Sequence, residues 1–209
     1  MIGINKDHWY DGWFYDKIIA PNQDRLFAVI KKLIDADSKI IDVGCGTGRF
    51  SFSIKDKCRS VLGLDLSKRN IDRANLRLSG NPNEKISFQH KTVRDVISDG
   101  SDHFDFAVMT YVIHEVNEEE REDLLNEIAE VADKIIIGDY LFPRPTGFWS
   151  GLNEAVEFAA GSEHYRNFKS YLAGKGILGL AERAGFKVTK EIKNHPLTTH
   201  IVVLEKIGK

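Results

Sequence analysis

Several things are scarce in this chain. Its 209 residues include only two cysteines, Cys45 and Cys58, too few and too far apart for a C-x-x-C site or a disulfide framework. No apolar run approaches the roughly 18 residues of a membrane span. The N-terminal Met-Ile-Gly-Ile-Asn-Lys-Asp-His lacks the charged-then-apolar form of a secretory signal, so cytoplasmic residence is expected. Neither sign of charge dominates. Against 29 Lys and Arg stand 31 Asp and Glu, a formal net charge of −2, which leaves no strong field to gather nucleic acid or an anionic membrane. No nucleic-acid partner is expected. The seven histidines show no His-x-x-x-His or comparable spacing, and no metal site is read. Internal repeats and low-complexity tracts are absent. With 42% hydrophobic and 29% charged residues, the composition is that of an ordinary globular protein. The length suits one domain over residues 1–209, and nothing in it sets an oligomeric state.

What is present is an alternation of strand-like and helix-like segments. Asp24–Ile34 has apolar residues at helical spacing. Strand 39–43 follows, then a glycine turn, a helix from about Arg49 to Asp56 and a second strand, Ser60–Asp65. Ser67 is placed to cap a helix over Lys68–Leu78, which Ser79-Gly80-Asn81-Pro82 stops. Ile86–His90 and Phe104–Thr110 read as strands three and four. Asn117 opens an acidic first turn, Glu118–Glu120, of a helix reaching about Ala132, and Lys134–Tyr140 is strand five. This cadence predicts a parallel sheet covered on both faces. After Tyr140 the rhythm changes. Leu141–Gly174 carries prolines, glycines and aromatics with a helical stretch near Leu152–Ala160, then comes a helix over Ile177–Ala184. Strands Phe186–Lys193 and Thr199–Lys206, joined by a short link, suggest a closing hairpin.

Residues 40–48 read Ile-Ile-Asp-Val-Gly-Cys-Gly-Thr-Gly, and Asp65 ends the second strand twenty-one positions after Gly44. Glycines serve where backbone must turn sharply and approach a ligand, and a carboxylate at the next strand tip accepts hydrogen bonds from ribose hydroxyls. Together they point to an adenosine-bearing cofactor. The dinucleotide fingerprint is G-x-G-x-x-G; here the glycines at 44, 46 and 48 make G-x-G-x-G, which shortens the turn at the helix N-terminus where a pyrophosphate would sit.

Asp42-Val43-Gly44-Cys45-Gly46-Thr47-Gly48 closely resembles the first motif of class I S-adenosylmethionine-dependent methyltransferases. The likeness extends over most of residues 36–140. Its C-terminal stretch, His164–Phe186, resembles the ubiquinone/menaquinone biosynthesis, or type 11, methyltransferase group. The resemblance implies a Rossmann-like α/β three-layer sandwich whose seven-stranded, mostly parallel sheet has an antiparallel last strand. It implies S-adenosylmethionine as methyl donor, S-adenosylhomocysteine as product, and a small-molecule acceptor. Residues 1–35 would then be a helical, aromatic cap and 141–175 an inserted substrate lid.

The resemblance carries roles to individual positions. Gly44, Cys45, Gly46 and Gly48 would pass beneath the methionine part, and Asp42 would orient the cofactor's amino group or the turn itself. Asp65 would hold the ribose hydroxyls and Leu66 would lie against adenine. At the third strand tip the chain departs from the common acidic pattern, with Thr92 and Val93 in register and Asp95 beyond. Either Thr92 with the Val93 amide serves adenine or Asp95 reaches back; the first is favoured, because an acid at a helix start is usually a cap. Thr110 would border the methionine moiety. His114, next to Glu115, is the candidate general base, since imidazole titrates near neutrality. Tyr15, Tyr111, His114, Tyr140, Trp149 and Tyr165 are candidate acceptor contacts, with Phe148 beside them; Trp9, Tyr10, Trp13 and Phe14 are candidates for covering the cofactor. The fourth tip, Met109-Thr110-Tyr111-Val112, lacks the Asn/Asp-Pro-Pro-Tyr/Phe element of DNA and many protein N-methyltransferases. Asp139 alone is a poor start for a catechol-type metal site, because hard cations take several oxygen ligands. The rival readings are a non-catalytic module on the same fold and an NAD-dependent oxidoreductase, which the position of Gly48 disfavours.

Overall fold

The computed structural model describes residues 20–100, 103–194 and 197–208. Helix α1 (Ala20–Leu33) leads into β1 (Lys39–Val43), followed by α2 (Arg49–Ile54), β2 (Ser60–Leu64), α3 (Lys68–Gly80), β3 (Ile86–Gln89), α4 (Val93–Ser98) and β4 (Phe104–Thr110). A 3-10 turn, Glu118–Glu120, precedes α5 (Arg121–Val131), so the acidic run expected to open the helix lies just ahead of it. Then come β5 (Ala132–Tyr140), α6 (Phe148–Ala160), α7 (Ser162–Ala173), α8 (Gly176–Arg183), β6 (Phe186–Lys193) and β7 (Thr199–Lys206).

The seven strands make one sheet in the order β3-β2-β1-β4-β5-β7-β6. Pairings among β1 to β5 are parallel, and β7 runs antiparallel to both β5 and β6. The last strand is therefore the antiparallel one, inserted between β5 and the edge strand β6. Alternate residues of each central strand enter opposite faces. Ile41, Ala107, Ile135, Ile137 and Val202 pack with Leu125 and Ile128 of α5 and Leu180 of α8. Ile40, Phe106, Val108, Ile136 and Ile201 pack with Leu26 and Ile30 of α1, Phe50 of α2 and Ile71 of α3. Strands apolar on both faces are what a parallel sheet sandwiched between helix layers requires.

Two features in the 141–174 region go beyond the expected single helical stretch. Helix α6 begins four residues earlier, at Phe148, and α7 is an additional helix. Gly161, at φ 125°, separates the two. Helix α7 has a weak apolar stripe, because its inward face mixes Asn167 with Phe168 and Tyr171, all buried. The Tyr171 hydroxyl, itself buried, donates to the Tyr140 carbonyl at 2.9 Å and docks α7 on the end of β5. No helix among the described residues is long and apolar enough to cross a membrane.

Strand order reverses between β1 and β4, and ligands of open α/β sheets bind outside the carboxyl ends at such a switch point. Phe50 lies directly under this crevice, 2% exposed and edge-on to Phe27 with ring centroids 5.3 Å apart. Phe50→Ala removes the contact joining α1 to α2; it is expected to lower unfolding free energy by about 3–5 kcal/mol, read as a lower urea midpoint.

Candidate functional site

At the end of β1 the chain turns under the control of β2. The Gly44 and Cys45 N–H groups both donate to the Leu64 carbonyl at 2.8 Å. Gly44 (φ 74°) is required by close approach, since a Cβ there would sit 2.4 Å from the Val112 side chain. Gly46 (φ 55°) is different. It lines the cavity, and a Cβ built on it would meet no protein atom within 4 Å. Asp65 locks the arrangement: its Oδ2 accepts from the Gly46 N–H at 2.8 Å, and its Oδ1 from the Ser67 N–H at 2.8 Å and from Asn70 Nδ2 at 3.3 Å. Each carboxylate oxygen has two lone pairs, so one lone pair, on Oδ2, remains for a ribose hydroxyl. Leu66, 59% exposed, and Cys45 also line the cavity.

Two of the expected cofactor contacts stand behind the turn instead. Gly48 caps α2 in the left-handed region, and the room left by its missing Cβ is filled by the Phe88 ring. Asp42 is fully buried and absent from the cavity wall. Its Oδ2 accepts the Ser51 hydroxyl at 2.6 Å, bracing β1 against α2, while Oδ1 has no hydrogen bond. Burial pushes the Asp42 carboxyl up to about 7, the Ser51 hydrogen bond opposes this and the nearby Asp65 charge adds to it.

At the third strand tip Thr92 and Asp95 form a capping box on α4. The Thr92 N–H donates to Asp95 Oδ2 at 2.8 Å, and the Asp95 N–H donates to Thr92 Oγ1 at 3.1 Å. These bonds to Thr92 hold the Asp95 carboxyl below its ordinary value. Both residues line the cavity with Val93, whose N–H, at the first helical position, has no acceptor within the helix.

The fourth and fifth strand tips build the cavity floor. After Thr110 the chain passes through Tyr111 in the left-handed region (φ 58°), its N–H donating to the Gly138 carbonyl at 2.8 Å. A non-glycine residue held there is strained, and the strain re-aims the following turn. That turn brings His114, 2% exposed, onto β5: Nδ1 lies 2.7 Å from Asp139 Oδ1, and the His114 N–H points at Oδ2, 3.3 Å away. On its other side Nε2 is 3.6 Å from Glu157 and 3.9 Å from Glu115. The Tyr140 hydroxyl donates to the same Glu157 oxygen at 2.7 Å, and its ring packs edge-on against His114.

His114 is thus in the cavity wall, as expected, but its protonation state is wrong for a base. Burial alone would favour the neutral ring, yet the Asp139 and Glu157 charges outweigh it and raise His114 well above its usual value. An imidazolium at neutral pH has no lone pair to accept a proton. Tyr140 is held protonated in turn, by burial first and then by the neighbouring Glu157 charge.

Of the aromatic candidates, Tyr111, Tyr140 and Trp149 line the cavity. Tyr165 does not: its hydroxyl is on Glu154 at 2.9 Å and its ring lies against Phe158. Phe148 is 77% exposed and also outside the wall. Trp9, Tyr10, Trp13, Phe14 and Tyr15 fall outside the described residues. The sequence reading missed Glu157, Asn153, His164 and Asn167, all in the wall. Helical phase was the available signal, since Asn153, Val156, Glu157 and Ala160 share one face of α6. Among the described residues no group of His, Cys, Asp or Glu is arranged to hold a metal ion.

Because Asp42 is raised in the folded state, it takes up a proton on folding. Its stabilising contribution is complete below about pH 4 and is lost as pH rises through 7. The stability of Asp42→Asn relative to the parent should therefore increase by roughly 2–4 kcal/mol between pH 4 and pH 8, measured by urea unfolding at each pH.

Residues 40–134 match the family model described as "Methyltransferase domain". Over 103 residues the chain is 27% identical to the O-antigen chain terminator bifunctional methyltransferase/kinase WbdD of Escherichia coli, a stretch covering 47% of this chain and 14% of that protein. The PH0226 protein of Pyrococcus horikoshii OT3 superposes with a TM-score of 0.74 at 18% identity, over 97% of this chain and 100% of the other. The N-methyltransferase NodS of Bradyrhizobium japonicum WM9, in complex with S-adenosyl-L-homocysteine, gives 0.65 at 14% identity over 95% and 93%. Residues 40–134 are thus similar to a methyltransferase domain, and the strand order is that of the Rossmann-like fold of the class I S-adenosylmethionine-dependent enzymes.

Proposed function

We propose that this chain binds S-adenosylmethionine and transfers its methyl group to a small-molecule acceptor. The observation that carries this reading is a single cavity of about 1020 Å³, running from the glycine turn and Asp65 to a pocket walled by Tyr111, Tyr140, Trp149 and Glu157. That volume is at the upper end of ordinary ligand sites, about 300–1,000 Å³, and accommodates a nucleoside cofactor with a second molecule beside it. The bared Gly46 backbone suits the methionine part, Asp65 the ribose, Leu66 with Thr92 and Val93 the adenine, and Thr110 the region of the sulfur. NodS, which shares the fold, is solved in complex with S-adenosyl-L-homocysteine, in keeping with a cofactor of this class.

S-adenosylmethionine supplies an activated methyl group whose leaving group, a neutral thioether, is already good. The chain's own residues then chiefly align the acceptor in line with the methyl–sulfur bond and keep water out. Helices α6 and α7 roof the acceptor end, with Trp149, Leu152 and Val156 over the cavity, and serve as the substrate lid. His114 acts as a fixed cation that positions Glu157 and Asp139 and takes no part as a base.

Calorimetric titration of the purified chain should give binding of S-adenosylmethionine and S-adenosylhomocysteine and none of NAD. Asp65→Ala is expected to weaken S-adenosylhomocysteine about 10- to 100-fold, the loss of charge-assisted hydrogen bonds, with Asp65→Asn intermediate and both still cooperatively folded. Binding of NAD without either sulfur cofactor would overturn the assignment.

A further inference from the structure

The charge around the cavity is divided between its ends. Every Lys or Arg in the described wall, namely Arg49, Arg69, Lys91 and Arg94, comes from α2, α3, α4 or the link between β3 and α4. From Tyr111 onward the wall holds no Lys or Arg. At that end Asp139 and His114 form a closed ion pair, 0% and 2% exposed in their side chains. The wall beyond Tyr111 also holds Glu115, Glu120, Asp123, Glu127, Glu157 and Glu163, and of these Glu157 and Glu115 lie against His114, burial raising Glu115 to about 7. Glu157, with its side chain 8% exposed, lines the cavity; its Oε1 accepts the Tyr140 hydroxyl, while Oε2 makes no hydrogen bond among the described residues. Glu115, 45% exposed at the mouth, lies within 3.9 Å of His114 and 3.8 Å of His164. A carboxylate buried to this degree with a free oxygen facing a cavity needs a donor or a cation from the ligand. The Tyr140 ring, whose hydroxyl is on Glu157, suits a cation as well.

Resting on the methyltransferase reading, we propose that the acceptor is an amine, bound as its ammonium by Glu157 Oε2 against the Tyr140 ring, and methylated on nitrogen. The reaction's charge flow agrees with this floor. The ammonium first loses a proton to Glu115, which opens to solvent. The nitrogen lone pair then forms the N–CH₃ bond as the CH₃–S bond breaks with its electron pair going to sulfur. Positive charge thus moves from sulfur to nitrogen, where the Glu157 carboxylate stabilises it as it develops. A phenolate or carboxylate nucleophile would instead have to approach two carboxylates with no Lys or Arg nearby, at a cost in like-charge repulsion.

The test uses the full chain saturated with S-adenosylhomocysteine and three probes on one skeleton, benzylamine, benzyl alcohol and benzoate, titrated by NMR to high millimolar concentration. Benzylamine should bind at least tenfold more tightly than benzyl alcohol, and benzoate should not bind. Glu157→Gln, which keeps an acceptor for Tyr140, should abolish the preference for benzylamine while S-adenosylhomocysteine affinity stays within twofold. Equal binding of all three probes, no binding of benzylamine, preference for benzoate, or a preference for benzylamine that survives Glu157→Gln overturns the amine assignment. Failure of S-adenosylhomocysteine to bind in the first place would instead overturn the methyltransferase reading.

Discussion

The contact from which the site is built is the bond between the Gly46 N–H and the Asp65 carboxylate. It joins the turn after β1 to the tip of β2, elements adjacent in the sheet but nineteen residues apart in the chain. With Gly44 and Cys45 both donating to Leu64, it holds successive backbone N–H groups of the turn in one orientation. These N–H groups are satisfied within the protein, so the shape of the turn is fixed before a ligand arrives. The same carboxylate accepts from Ser67 and Asn70, so α3 starts where the turn requires it. Behind this arrangement Asp42 has one oxygen bonded to Ser51 and the other unbonded. That is a local cost, and the burial behind it raises the Asp42 carboxyl to about 7.

The cofactor end was readable in the sequence because its parts are close in the chain and have strict backbone needs. Only glycine tolerates the positive φ and the close neighbours found at 44 and 48, and the acid at 65 follows one helix and one strand later. The strands were readable for a similar reason, each being a short apolar run bounded by a turn or a cap. The acceptor end was not, because its contacts are long-range. His114 meets Asp139 across 25 positions, and it meets Glu157 across a strand, a loop and most of a helix. Tyr165 falls in phase with the buried Phe168, three residues on, but its hydroxyl is taken by Glu154 of α6, another contact that the sequence does not display.

The reading of His114 as a base failed on electrostatics that a sequence does not display. Histidine near neutrality is the ordinary expectation, but its state follows from what surrounds it. Two carboxylates on opposite edges of one buried ring hold the proton, and the ring becomes a structural cation. This moves the chemistry outward to Glu157 and Glu115, the groups with charge left over.

One further connection ties the floor to its roof. Arg121, 2% exposed, donates from Nε to the Val116 carbonyl and from Nη2 to the Asn167 carbonyl. Asn167 in turn donates to the Glu115 carbonyl at 2.8 Å. The turn that carries His114 and Glu115 is therefore fastened to α7, which Tyr171 fastens to β5. Because α6 and α7 are joined at Gly161, a shift of α7 would move both Glu115 and the helix that bears Glu157. Glu115 and Glu157 are consequently both tied to α7, the first through Asn167 and the second through Tyr140, whose hydroxyl donates to Glu157 and whose carbonyl accepts from Tyr171.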